Sequence, residues 1–145
     1  MLAERAKGRG GRARVGAAVV AALCVACAER TSTDERPVVA VSVVPQQWVV
    51  ERIAGDLVRV EVMIPPGANE ATYEPSVAQL RALDGAALYL EVGHPSFAFE
   101  RTWLGPLLAD HPGIVVVNGA EGVALSADDP HYWLVPDHVV RMGEN

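Results

Sequence analysis

The sequence predicts an α/β fold, an open parallel sheet of four strands with helices on both faces. Three observations predict it. β-Branched runs alternate with helical segments across short links, the pattern of βαβ units. The first run, Val38-Val-Ala-Val-Ser-Val-Val44, is almost continuously apolar, as a strand buried on both faces requires. The chain has 145 residues, half of them apolar, enough for one core of ordinary size.

The elements follow in chain order. Arg5, Lys7, Arg9, Arg12 and Arg14, opposed only by Glu4, precede the apolar run Val15–Ala26. That run is too short to span a bilayer comfortably, and with small residues after it residues 1–28 read as an export leader. Two processing routes compete. Ala26-Cys27-Ala28 fits small-x-small cleavage, whereas Cys24-Val-Ala-Cys27 resembles a bacterial lipoprotein box. In the second route Cys27 is lipidated, the one membrane attachment on offer. Residues 29–37 form a polar tether. Both cysteines, Cys24 and Cys27, fall in the leader, so the domain has neither a disulfide nor a cysteine-based zinc site.

The α/β domain is expected over 38–135. Pro45 starts a helix that Gly55 stops, with Trp48, Val49 and Ile53 on one side. Leu57–Ile64 alternates as a second strand. The long loop 65–75 leads into a helix opened by a Ser76/Gln79 capping box, with Val77, Leu80 and Leu83 as its buried stripe. Ala86–Val92 is a third strand, ending at Gly93-His94-Pro95. A helix over Phe99–Ala109 must be kinked or interrupted at Pro106. Gly113–Asn118 is a fourth strand. Residues 136–145 begin a last helix, truncated by the chain end, whose Val139, Val140 and Met142 are expected to be partly exposed.

Beyond the leader there are seven basic and seventeen acidic residues. So acidic a body is a poor surface for nucleic acid or anionic lipid and a suitable one for cations. His-Glu-x-x-His, Gly-x-Ser-x-Gly and a phosphate loop are all absent, which removes the commonest motif-borne enzyme chemistries. Ligands of open parallel sheets sit beyond the strands' carboxyl ends. There the loops carry His94 and His131, the two candidate metal ligands. Two neutral imidazoles are half of a tetrahedral zinc site, or part of a manganese site completed by carboxylates. Tyr73, Glu74, Glu100, Asp129 and Trp133 are candidates for the surrounding pocket. His111 falls at the opposite edge of the sheet and is expected to be solvated. His138, one turn into the last helix, is expected at the surface or at an interface.

At these loops the sequence resembles the metal-binding solute receptors of ABC importers for zinc and manganese. The resemblance covers residues 38–145. It rests on Val41-Ser-Val-Val-Pro-Gln, Glu51-Arg-Ile-Ala-Gly-Asp, Ile64-Pro-Pro-Gly-Ala-Asn-Glu-Ala-Thr-Tyr-Glu-Pro-Ser76, Gln79-Leu-Arg-Ala-Leu and Asp129-Pro-His-Tyr-Trp-Leu-Val-Pro136. It implies two α/β lobes joined by one long helix, with the metal clamped between them. It also implies an exported receptor, periplasmic or at the cell envelope, that hands Zn²⁺ or Mn²⁺ as cargo to an ABC permease and is not an enzyme. Two departures stand out. Many members carry a ligand histidine where this chain has Ala71, and His94 is expected to replace it. The family also runs to about twice this length, so the chain is expected to be the first lobe alone. Two other readings compete: a small secreted zinc hydrolase using His94, His131 and Glu74 or Glu100 as base, and a non-binding truncated remnant.

Overall fold

The run that opens at Val38 becomes β1 (Val38–Val41), with all four side chains buried. Each fully buried valine contributes about 1.5–3 kcal/mol over an exposed one, so this segment belongs at the centre of a sheet. In the computed structural model, residues 34–145 are described. The leader, Cys27 with its lipidation, and residues 29–33 of the tether lie outside the described residues. β2 (Arg59–Val62) and β3 (Ala86–Glu91) pair with β1 on either side, and β4 (Val115–Asn118) pairs with β3. All pairings are parallel and the order is β2-β1-β3-β4. The predicted sheet is therefore the observed one.

β1 ends earlier than its apolar run because Ser42 and Val43 turn into α1 (Val44–Ala54). Gln46 makes that turn: its Oε1 accepts from the Ser42 and Val43 N–H groups at 3.0 and 3.1 Å. Gln46 and Val49 are the buried residues of α1, whereas Trp48 and Ile53 are exposed. The apolar side read from the sequence thus faces a groove. It runs between α1 and α4 (Pro136–Glu144), has a volume of about 730 Å³, and includes Trp48, Ile53, Val139 and Val140 in its walls.

α2 (Val77–Leu83) begins with the expected capping box. Leu83 is buried and Leu80 half-buried, but Val77, in the first turn, is exposed. Gln79 is buried instead, because its side chain has a second task. Its Nε2 donates to the Val62 and Met63 carbonyls at 3.0 and 2.8 Å, closing the end of β2. Right-handed crossovers in this strand order place α1 and α2 on opposite faces of the sheet.

The third helix absorbs Pro106 without breaking. A π turn, Glu100–Leu104, runs directly into α3 (Gly105–Asp110). The widened turn accommodates the proline ring, which has no N–H to donate. At the chain end, Met142 is buried, Val139 half-buried and Val140 exposed. Met142 packs against Gly119, where a Cβ would stand 3.4 Å from its Cγ, so the helix covers its own lobe more fully than the sequence suggested.

Candidate metal centre

β1 is followed by α1 on one side, and β3 by the His94 loop on the other, so the order reverses between these two strands. The crevice beyond their carboxyl ends is the position at which α/β sheets bind ligands. Residues from four loops converge there.

His131 stands just before a short 3₁₀ turn, Tyr132–Leu134. Asp129 holds it twice. The Asp129 carboxylate accepts from the His131 backbone N–H at 3.0 Å and from Nδ1 at 2.6 Å. These bonds, the backbone one foremost, lower the Asp129 pKa below the ordinary carboxylate value. Trp133 packs edge-on against the imidazole, 5.2 Å between centroids. With Nδ1 committed, the Nε2 edge faces outward, 3.3 Å from an oxygen of Glu70.

Glu70 is the residue the sequence reading passed over. It sits on the loop 65–75, beside Ala71, and the loop is folded by Asn69. The Asn69 side chain accepts from Ala71 N–H at 2.9 Å, and the Asn69 backbone carbonyl accepts from the Thr72 and Tyr73 N–H groups. The cue in the sequence was an acid immediately before Ala71, the position at which the resemblance implies a ligand histidine. Its distance along the chain from His131 concealed the pairing.

His94 is placed differently. It is 4% exposed, and both ring nitrogens are engaged. Nδ1 accepts from the Ser96 hydroxyl and N–H at 2.8 and 3.1 Å. Nε2 donates to the Ser126 carbonyl at 2.7 Å. As it stands, this imidazole braces the loop before His131 and has no lone pair to offer a metal.

Tyr73 donates to Gln79 Oε1 at 2.8 Å, and Glu74 is exposed. Glu100 is buried and accepts at Oε1 from the Val92 N–H at 2.5 Å and from the Ser42 hydroxyl. Its Oε2 accepts from Gly93 N–H at 2.9 Å. Burial raises its pKa, and these donors oppose the shift. Gly93 has φ +71°, and a Cβ there would lie 1.9 Å from Asn118 Oδ1, so only glycine allows this turn. Among the described residues no three His, Cys, Asp or Glu side chains are grouped to hold a metal ion. His131 with Glu70 is a two-donor arrangement.

His111 is not solvated as expected. Its side chain is 16% exposed, and it bridges Leu107 and Asp84 far from this crevice. His138 is half-buried, with Nδ1 3.2 Å from the Tyr132 carbonyl.

The family described as ZnuA, zinc-uptake complex component A, periplasmic, matches residues 39–145. Among solved structures, a ZnuA deletion mutant with zinc bound is 37% identical, with a TM-score of 0.67, covering 76% of this chain and 44% of its own. A second ZnuA structure is 36% identical with a TM-score of 0.69 and the same coverage. The solute-binding protein FpvC from Pseudomonas aeruginosa, in complex with Mn²⁺, is 23% identical with a TM-score of 0.64, covering 76% of this chain and 42% of its own. At that identity the likeness is one of fold. The chain spans less than half the length of the structures it matches.

Proposed function

Because the chain belongs to the family of periplasmic zinc-uptake components, we propose that it acts outside the cytoplasm as a metal-ion receptor. Its cargo is Zn²⁺ or Mn²⁺, and its partner is an ABC permease. The leader supplies export, and Cys27, when lipidated, the anchor. His131 and Glu70 are the metal donors, Asp129 orients the imidazole, and Trp133 limits its swing. His94 serves the site as a brace.

The observation that carries this reading is the geometry of His131. Two donors bound to a tetrahedral zinc at ~2.05 Å stand about 3.3 Å apart, and Nε2 and the Glu70 oxygen are separated by 3.3 Å. A carboxylate on Nδ1 is also the usual partner of a metal-bound imidazole. The acidic body favours capture of a cation. Two donors make half of a tetrahedral site.

Competition against a zinc-sensitive dye tests the reading. His131→Ala should abolish binding and Glu70→Gln weaken it at least tenfold, while His111→Ala leaves it unchanged. Equal losses in His111→Ala and His131→Ala would place the metal elsewhere.

A further inference from the structure

One peptide unit links the two loops that carry His94 and His131. Its N–H end, on Gly93, donates to Glu100 Oε2 at 2.9 Å. Its C=O end, on Val92, accepts from the Tyr132 hydroxyl at 3.0 Å. In a trans peptide these ends point in opposite directions, so Glu100 and Tyr132 grip the same plane from both sides. Glu100 is itself immobilised. Its other oxygen takes the Val92 N–H at 2.5 Å and the Ser42 hydroxyl, and Ser42 Oγ in turn lies 2.9 Å from the Tyr89 hydroxyl. Tyr132 is buried, and Gly119 leaves room for its hydroxyl: a Cβ there would stand 2.9 Å from it. Tyr132 directly follows His131 in the chain. Whatever fixes the tyrosine therefore fixes the backbone from which the imidazole reaches toward Glu70.

We propose that Glu100 and Tyr132 are positioning residues of the metal site, acting through the Val92–Gly93 peptide to set His131. The inference rests on His131 being a metal donor, as proposed above. Neither residue touches the metal. The carboxylate form of Glu100 suits the role because all three of its partners are donors. A glutamine in its place would turn an amide NH₂ against one of these donors.

The test measures Zn²⁺ affinity by dye competition and records the Co²⁺ absorption spectrum, on the full chain and on Tyr132→Phe, Glu100→Gln and His131→Ala. Thermal unfolding is followed in parallel. Tyr132→Phe keeps the ring and loses the hydroxyl, and is expected to weaken zinc about tenfold and shift the Co²⁺ bands. Glu100→Gln should do the same. A purely structural role would lower the unfolding temperature and leave affinity and spectrum as in the parent. If Glu100→Gln fails to fold, Tyr132→Phe decides alone. Should His131→Ala bind zinc like the parent, the metal-site reading fails and this inference with it. Should His131→Ala abolish binding while the folded positioning variants keep the parent's affinity and spectrum, the positioning inference alone is overturned.

Discussion

The imidazole of His111 lies 3.0 Å from the Asp84 carboxylate through Nε2, and 2.7 Å from the Leu107 carbonyl through Nδ1. Both partners are acceptors only, so the fully protonated ring satisfies them and a neutral one cannot. The bond ties Asp84, the residue that ends α2, to the end of α3.

The His111 pKa is raised, first by the Leu107 carbonyl and then by Asp84. A raised histidine pKa adds stability that is fully present below the unfolded value of ~6.5 and lost as pH rises through the folded value. The unfolding temperature should therefore fall as pH climbs above ~6.5. In His111→Ala that part of the slope should disappear, with a loss of about 5 °C or less at pH 6 because the pair is close to solvent. An unchanged slope in the variant would assign the pH dependence to another group.

Asp129 gives the opposite sign. Its lowered pKa adds stability that is present above its ordinary value of 3.8 and fades as pH falls through the folded value. Asp129→Asn should be less stable than the parent at neutral pH, with the difference vanishing in acid. Acid titration of the unfolding midpoint for both proteins measures it.

Gln79→Met should be among the most damaging changes to α2. It removes the donor from two carbonyls at the end of β2 and the acceptor for Tyr73 and Ser76. Buried groups left unpaired cost about 1–3 kcal/mol each. Ser76→Ala, which removes only the cap, should cost about 1 kcal/mol. Urea unfolding of the two variants should separate them clearly. Equal losses would reduce Gln79 to its capping role.

His94→Ala separates a brace from a ligand. The change empties a buried site and frees the Ser126 carbonyl, so it should destabilise the protein by about 2–4 kcal/mol. Zinc affinity should fall only modestly, and the Co²⁺ spectrum should keep its pattern of nitrogen ligation. Loss of one nitrogen from that pattern would make His94 a metal donor.

The parts of this fold that were legible in the sequence are local. The Val38–Val41 run, the Ser76/Gln79 box and the glycine and proline punctuation each act within a few residues. Their physical signatures are periodicity and capping. What escaped depends on packing. Trp48, Val49 and Ile53 fall on one side of the helix, yet Trp48 and Ile53 face the α4 groove, because α1 buries Gln46 and Val49 instead. Met142 is covered through its contact with Gly119, a site no nearby residue announces. Glu100 was visible as an acid near the pocket. Its partner Ser42 lies just after β1, far away in the chain, and nothing in its neighbours shows that it holds the peptide after Val92. Glu70 and His131 approach to 3.3 Å across two loops whose paths only the sheet determines.

The strand order also decides when the protein can fold. The first of the described strands occupies an interior position, and its neighbours arrive later, one from each side. A chain emerging from its N-terminus can pair β1 with β2 early, but that two-stranded ribbon leaves β1's inner edge open until residue 91 has appeared. Open edges of valine-rich strands invite pairing with other chains, and parallel partners separated by a helix close slowly. The window between synthesis of β2 and β3 is therefore the stretch in which this protein most needs protection from itself. A chain cut after β2 should aggregate, whereas one reaching the end of β3 should begin to resist proteolysis.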